Sequence, residues 1–288
     1  MIKTKKQFSI ITTALLSLVF LLSAPGASAQ SSTVSFNIDP DYDSVGRSQI
    51  NASLRIDGTK ADFYVEDAYW NNLPPAEKGT ILSTLGDIEQ TFSTSTYPRV
   101  TEVFGSEWSP GIDGEEKITI LFTSLDSGIG GYFREEDEIR RSQIASSNER
   151  EMFYINTEFL STPRHAEAFI AHELQHLINY NQRVRLRDIR DELWVNEMLS
   201  EIAPTIAGLN DVYPGSNLAS RVRSFKDNTS NSLIGWNSKT EDYAAASIFG
   251  HYLLDQYGEE FFTKLMETNA TGEDGINQTL KALGKTET

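Results

Sequence analysis

His172 and His176 stand four residues apart, with Glu173 directly after the first. On a helix this spacing projects both imidazoles from one face, where they can share one tetrahedral cation. Glu173 then sits beside that cation without having to ligate it, placed to deprotonate a metal-bound water. Two histidines leave a zinc site one protein ligand short. The chain supplies Glu197 and Glu201, again four apart, some twenty residues later. Alone they would read as an acidic, solvated helix face. After a His-Glu-x-x-His, Glu197 closes a His, His, Glu ligand set that leaves the fourth position to water. Glu201 can accept the N–H of a histidine ligand and fix its orientation.

These residues need helices to present them. Thr162 is a natural cap, and Pro163 fits the first helical position, where a missing N–H costs nothing. At about 100° per residue, Ile170, Leu174, Leu177 and Ile178 cluster on one side of this helix. The two histidines fall on roughly the opposite side, outside the stripe that core histidines would occupy. Leu193, Met198, Leu199 and Ile202 give the Glu197 helix its own apolar contacts. Upstream, the alternation at Ala61–Val65 and the β-branched run Lys117–Thr123 predict strands, as does Glu151–Asn156. Ala76–Ile88 carries helical spacing, and from Pro163 onward the chain reads as almost wholly helical. Strands early and helices late predict an α+β fold.

Composition narrows the classes. With 25 basic and 41 acidic residues the formal charge is −16, so a nucleic-acid partner, which needs a concentrated basic face, is not expected. There is no cysteine; any metal is held by His, Asp, Glu or backbone oxygen, and no disulfide scaffold exists. Lys3, Lys5 and Lys6, the apolar run Phe8–Leu22 and Ala27-Ser-Ala29 form a signal-peptide pattern. Cleavage after Ala29 is expected, giving a secreted chain, extracellular or periplasmic, without a stable membrane anchor. Arg183, Arg185, Arg187 and Arg190 read as a solvated loop. Asp113 and the acids from Glu135 to Glu138 are candidates for Ca2+, although no D-x-[DN]-x-[DN]-G loop is present.

His-Glu-x-x-His followed by Asn196-Glu-Met-Leu-Ser-Glu201 resembles the gluzincin metallopeptidases, the thermolysin-like group, and within it the hyicolysin-type secreted bacterial enzymes. The likeness runs from about Thr101 to Gly258. It takes in Phe104-Gly105, Gly111-Ile-Asp-Gly114, Gly130-Gly-Tyr-Phe133, Ala171–Ile178, Trp194–Glu201 and Tyr243–Gly258; Met198 departs from the small residue that commonly follows the ligand Glu. The resemblance implies a Zn2+ endopeptidase of two-subdomain zincin-like fold, acting on protein or peptide substrates and expected to be monomeric. A mixed α/β half at 30–185 would carry the His-Glu-x-x-His helix, and a helical half at 186–288 the third ligand. It also implies a transition-state donor in the helical half, for which Tyr243 and His251 are the candidates; His251, in an apolar helix, reads equally as a core histidine. The strand holding Phe153 and Tyr154 is either an edge that pairs with an extended substrate or an ordinary buried strand. An exported, non-catalytic binding protein that keeps the same fold is the alternative reading, and the same chemistry on a non-peptide substrate is a third.

Overall fold

A computed structural model of the chain describes residues 33–209 and 213–286; the signal-peptide pattern and the cleavage position after Ala29 lie outside the described residues. Six strands form one sheet: β1 (Thr33–Asn37), β2 (Gln49–Asp57), β3 (Ala61–Glu66), β4 (Ile118–Thr123), β5 (Gly131–Phe133) and β6 (Met152–Asn156). Their order across the sheet is β1-β2-β3-β4-β6-β5. β3, β4 and β6 run parallel, while β1, β2 and β5 pair antiparallel with their neighbours. Every residue of β4 and of β6 is buried, as expected for central strands covered on both faces. β1 falls within a stretch whose polar composition gives no strand signal.

Nine helices are described. α1 (Asp67–Asn72), α2 (Pro75–Thr91) and α3 (Tyr97–Phe104) follow β3, and α4 (Pro163–Asn179) follows β6. The remainder is α5 (Leu193–Ile206), α6 (Asn217–Asp227), α7 (Thr240–Tyr257), α8 (Glu259–Glu267) and α9 (Gly272–Ala282). The molecule is thus α+β, with a sheet-bearing half and a mainly helical half, the two-part arrangement that the resemblance implies. The described residues nevertheless form one compact unit. A single apolar cluster runs from Phe63, Phe122 and Ile155 through Leu174 and Ile178 to Met198, Ile202, Phe261 and Phe262. The other sheet face packs Phe36, Ile50, Tyr64 and Leu121 with Tyr132 and Tyr154. Met198 fits because Gly250 of α7 faces it, 3.1 Å from its Cγ to where a Cβ would stand. No helix among the described residues is long and apolar enough to cross a membrane.

Two sequence expectations are corrected here. Phe153 and Tyr154 do not lie on an edge strand: β6 is bonded on one side to β4 and on the other to β5, and both side chains are buried. Nor is Arg183 solvated; it is 1% exposed. A π-helical turn, Tyr180–Arg185, extends α4 and swings this side chain inward. There it pairs with Asp191 at 2.7 Å and donates to the carbonyls of Leu265 in α8 and of Thr268 and Ala270 in the turn to α9. Charge spacing alone does not reveal such a partner set.

Candidate metal centre

The face of α4 opposite its core stripe carries the metal pattern. Ile170, Leu174, Leu177 and Ile178 are buried as the helical wheel requires, while His172 and His176 remain partly accessible. α5 packs across α4 and brings Glu197 to them. Nε2 of His172 and Nε2 of His176 are 3.2 Å apart, and Oε2 of Glu197 lies 3.5 Å from the first and 3.7 Å from the second. A tetrahedral ion with bonds near 2.0–2.1 Å separates its ligands by about 3.3–3.4 Å. The triangle is therefore of the right size for one zinc-sized ion. Oε2 of Glu197 is also buried without a hydrogen-bond partner, the state expected of an oxygen reserved for a cation. The donor set and its dimensions fit a metal.

Hydrogen bonds aim the ligands. Nδ1 of His176 is 3.1 Å from Oδ1 of Asn196, an oxygen that only accepts. The ring keeps its proton there and turns a bare Nε2 toward Glu197. Ser200 supports the same nitrogen from 3.0 Å and bonds Gln175 at 2.7 Å. Glu201 is placed differently from the sequence expectation. It stands 3.9 Å from Nδ1 of His172, beyond hydrogen-bond range, and its carboxylate is gripped by Arg221 of α6 through contacts of 2.7 to 3.1 Å. Asn196 and Ser200 sit inside the second motif and could have been proposed from it. Arg221 is one of three basic residues in α6, with Arg223 and Lys226, and nothing in the sequence singles it out.

The trio competes for positive charge. Burial disfavours a charged His172 ring, but the close approach of the Glu197 carboxylate at 3.5 Å and the charges of Glu173 and Glu201 outweigh this and raise it to about 9. His176 is pushed down by burial. Glu197 is held below the usual range because the two histidines overcome its own burial. Glu173 shows the opposite balance: burial, reinforced by Glu197 and Glu201, raises it to about 8 against the pull of His172.

A cavity of about 560 Å3 opens over the trio, lined by Glu173, Tyr42, Gly130, Gly131, Arg221 and Tyr243 among others. β5 forms one wall. A Cβ on Gly131 would stand 2.6 Å from the Tyr154 carbonyl and 3.0 Å from Cγ of Glu173, and one on Gly130 would overlap the Phe169 ring. Only side-chain-free residues let the edge strand press this close to α4. Tyr243 is in the cavity wall, with the Arg221 guanidinium 5.0 Å from its ring centre and Trp236 edge-on at 4.9 Å. His251, two turns further along α7, is not. Its Nε2 meets Thr205 Oγ1 at 2.8 Å and its Nδ1 the Ser247 carbonyl at 2.7 Å, so both nitrogens are satisfied within the helical half. Tyr42, from the loop between β1 and β2, overhangs the opposite side and packs on Tyr132. Sequence reasoning did not single it out.

No protein-family model matches the chain. Among curated proteins it is similar to the neutral metalloprotease ShpI of Staphylococcus hyicus, at 24% identity over 252 residues, covering 80% of this chain and 53% of that protein. The chain thus spans about half the length of this relative.

Proposed function

We propose that the chain is a secreted zinc endopeptidase, hydrolysing peptide bonds in the cavity above α4. The observation that carries this reading is the convergence of His172, His176 and Glu197 on one zinc-sized point, with a buried glutamate next in sequence to the first ligand. The similarity to a neutral metalloprotease supports it.

Zinc held by these three side chains would polarise water and the scissile carbonyl. Glu173 supplies what the metal cannot, a proton carrier. Its buried carboxylate takes the proton of the attacking water and delivers it to the leaving amine as the C–N bond breaks. Its raised proton affinity suits both halves of that transfer. The Tyr243 hydroxyl is the donor available to the oxyanion that develops on the attacked carbon. β5, the true sheet edge beside Glu173, offers unpaired backbone groups to an extended substrate. Arg221 neutralises Glu201 and keeps that carboxylate from competing with Glu197 for the histidines.

The test combines metal analysis with hydrolysis of an unstructured protein such as casein. Chelation should abolish cleavage and zinc should restore it. Glu173→Gln should keep the metal and lose turnover; a variant that still cleaves normally overturns the reading. Mass spectrometry of exported material should show a chain beginning at Gln30.

A further inference from the structure

Tyr42 reaches the cavity from the loop between β1 and β2, far upstream of both ligand helices. Its ring is 40% exposed, but only on one side. Behind it lies Tyr132, 4.8 Å from centre to centre, and behind that Tyr154, stacked on Tyr132 at 4.2 Å. The two inner rings are buried and anchored: the Tyr132 hydroxyl accepts the Asp39 N–H at 3.2 Å, and the Tyr154 hydroxyl donates to Asp137 at 2.6 Å. Tyr42 is the open outer face of a three-ring stack.

Its backbone is held as firmly. Asp43 bridges to Leu125, the Tyr42 carbonyl accepts the Asp126 N–H at 2.9 Å, and the Ser44 N–H donates to the Ser124 carbonyl at 3.2 Å. Arg47 joins two buried carboxylates, Asp43 at 2.6 Å and Glu66, and Glu66 also accepts from the Thr123 hydroxyl and the Ser124 N–H. Such a buried set adds little net stability but is costly to break. The ring therefore cannot leave the cavity without disrupting it.

A second cavity of about 350 Å3 adjoins the one over the metal ligands, and Tyr42, Phe133, His176 and Asn196 line both. Two aromatic rings thus flank the passage from a metal ligand into this space. The charges around the second cavity are engaged with one another: Arg190 with Glu135 at 2.8 Å, Asp191 with Arg183 at 2.7 Å, Arg134 with Glu136 at 4.0 Å. Asp39 accepts the Asp41 N–H at 3.0 Å. What is left to meet a ligand is mainly apolar: Tyr42, Phe133, Tyr180 and Val184.

We propose that Tyr42 is a specificity-determining residue that, with Phe133, admits a bulky apolar side chain of the substrate to the second cavity. The proposal rests on the peptidase reading. An extended chain turns alternate side chains to opposite sides, so a substrate laid along β5 past His176 sends one of them into this passage. There it meets an aromatic face already fixed in place, which lowers the entropy lost on binding.

The test uses the zinc-loaded chain and peptides that differ only by phenylalanine or alanine at each position flanking the cleaved bond. At one position phenylalanine should be favoured by about 10–100-fold in kcat/KM. Tyr42→Ala should keep its zinc and cut that ratio about tenfold, whereas Tyr42→Phe, which keeps the ring, should retain it. Phe133→Ala should cut the same ratio, and so carries the test if Tyr42→Ala disturbs its loop. An unchanged ratio in both alanine variants would overturn the proposal and leave the peptidase reading intact. So would arginine preferred to phenylalanine at that position, or a loss in Tyr42→Phe equal for both peptides, which would assign the hydroxyl to the reacting atoms. No cleavage by the wild-type chain would overturn both readings.

Discussion

The molecule carries two clusters of buried carboxylate oxygens lacking hydrogen bonds, and they are built in opposite ways. His172, His176, Glu197 and Glu201 come from two helices, each using an i, i+4 pair, and two imidazoles balance the acid. Glu107, Glu138 and Glu151 come from three segments flanking regular elements, with no imidazole and one guanidinium nearby. The first cluster is rigid, nitrogen-rich and matched to a small tetrahedral ion. The second is all oxygen and forms no such triangle. The difference shows that helix spacing can fix a coordination triangle, whereas acids gathered from separate segments can be buried without one.

Substitutions can break or sharpen this contrast. The largest effect belongs to Glu197→Ala, which removes a ligand: zinc content by atomic absorption and hydrolysis should both fall to background. Glu173→Gln comes next. It should retain zinc and lower kcat by about 10²–10⁴-fold, the usual cost of losing a general acid–base. Arg221→Ala frees Glu201 beside the histidines and should weaken metal affinity or kcat/KM by about 10–100-fold, as loss of a ligand-supporting contact does.

The second cluster has a pH signature of its own. Burial raises Glu151 to about 7 and Asp137 to about 6. The folded state therefore holds protons that the unfolded chain releases, and their stabilisation is complete below about pH 4 and lost as pH rises through 6 to 7. Urea midpoints should fall across that window. The smallest effect is expected of His251→Ala: two hydrogen bonds lost for about 1–2 kcal/mol of stability, with kcat/KM within twofold of wild type. A large activity loss there would return His251 to the catalytic machinery.

What the sequence disclosed follows the same division. The convergence of His172, His176 and Glu197 was readable because a helix converts spacing directly into direction, and the apolar stripe of α4 independently set which face was free. The α+β class was readable from β4, β6 and the helical C-terminal half. Chain order does not give sheet order, so edge and interior places for β6 could not be told apart from sequence; the short β5, three residues long, takes the edge. Glu201 showed the right face but not its partner, because Arg221 arrives from a separate helix. The acids at Glu135 to Glu138 drew notice as candidate calcium ligands, yet only folding buries Glu138 with Glu107 and Glu151 while leaving Glu135 on the surface with Arg190.

Arg183 gives the far end of α4 an unusual fastening. Its guanidinium holds Asp191 and three carbonyls at the end of α8 and in the turn to α9, so the last turn of α4 cannot fray without stranding a buried carboxylate and releasing that connection. Local opening, ordinarily the cheapest motion at a helix terminus, is here coupled to the C-terminal helices. Backbone amides near Asn179 and those around Thr268 should then exchange hydrogen for deuterium in one cooperative step, through an opening much rarer than end-fraying.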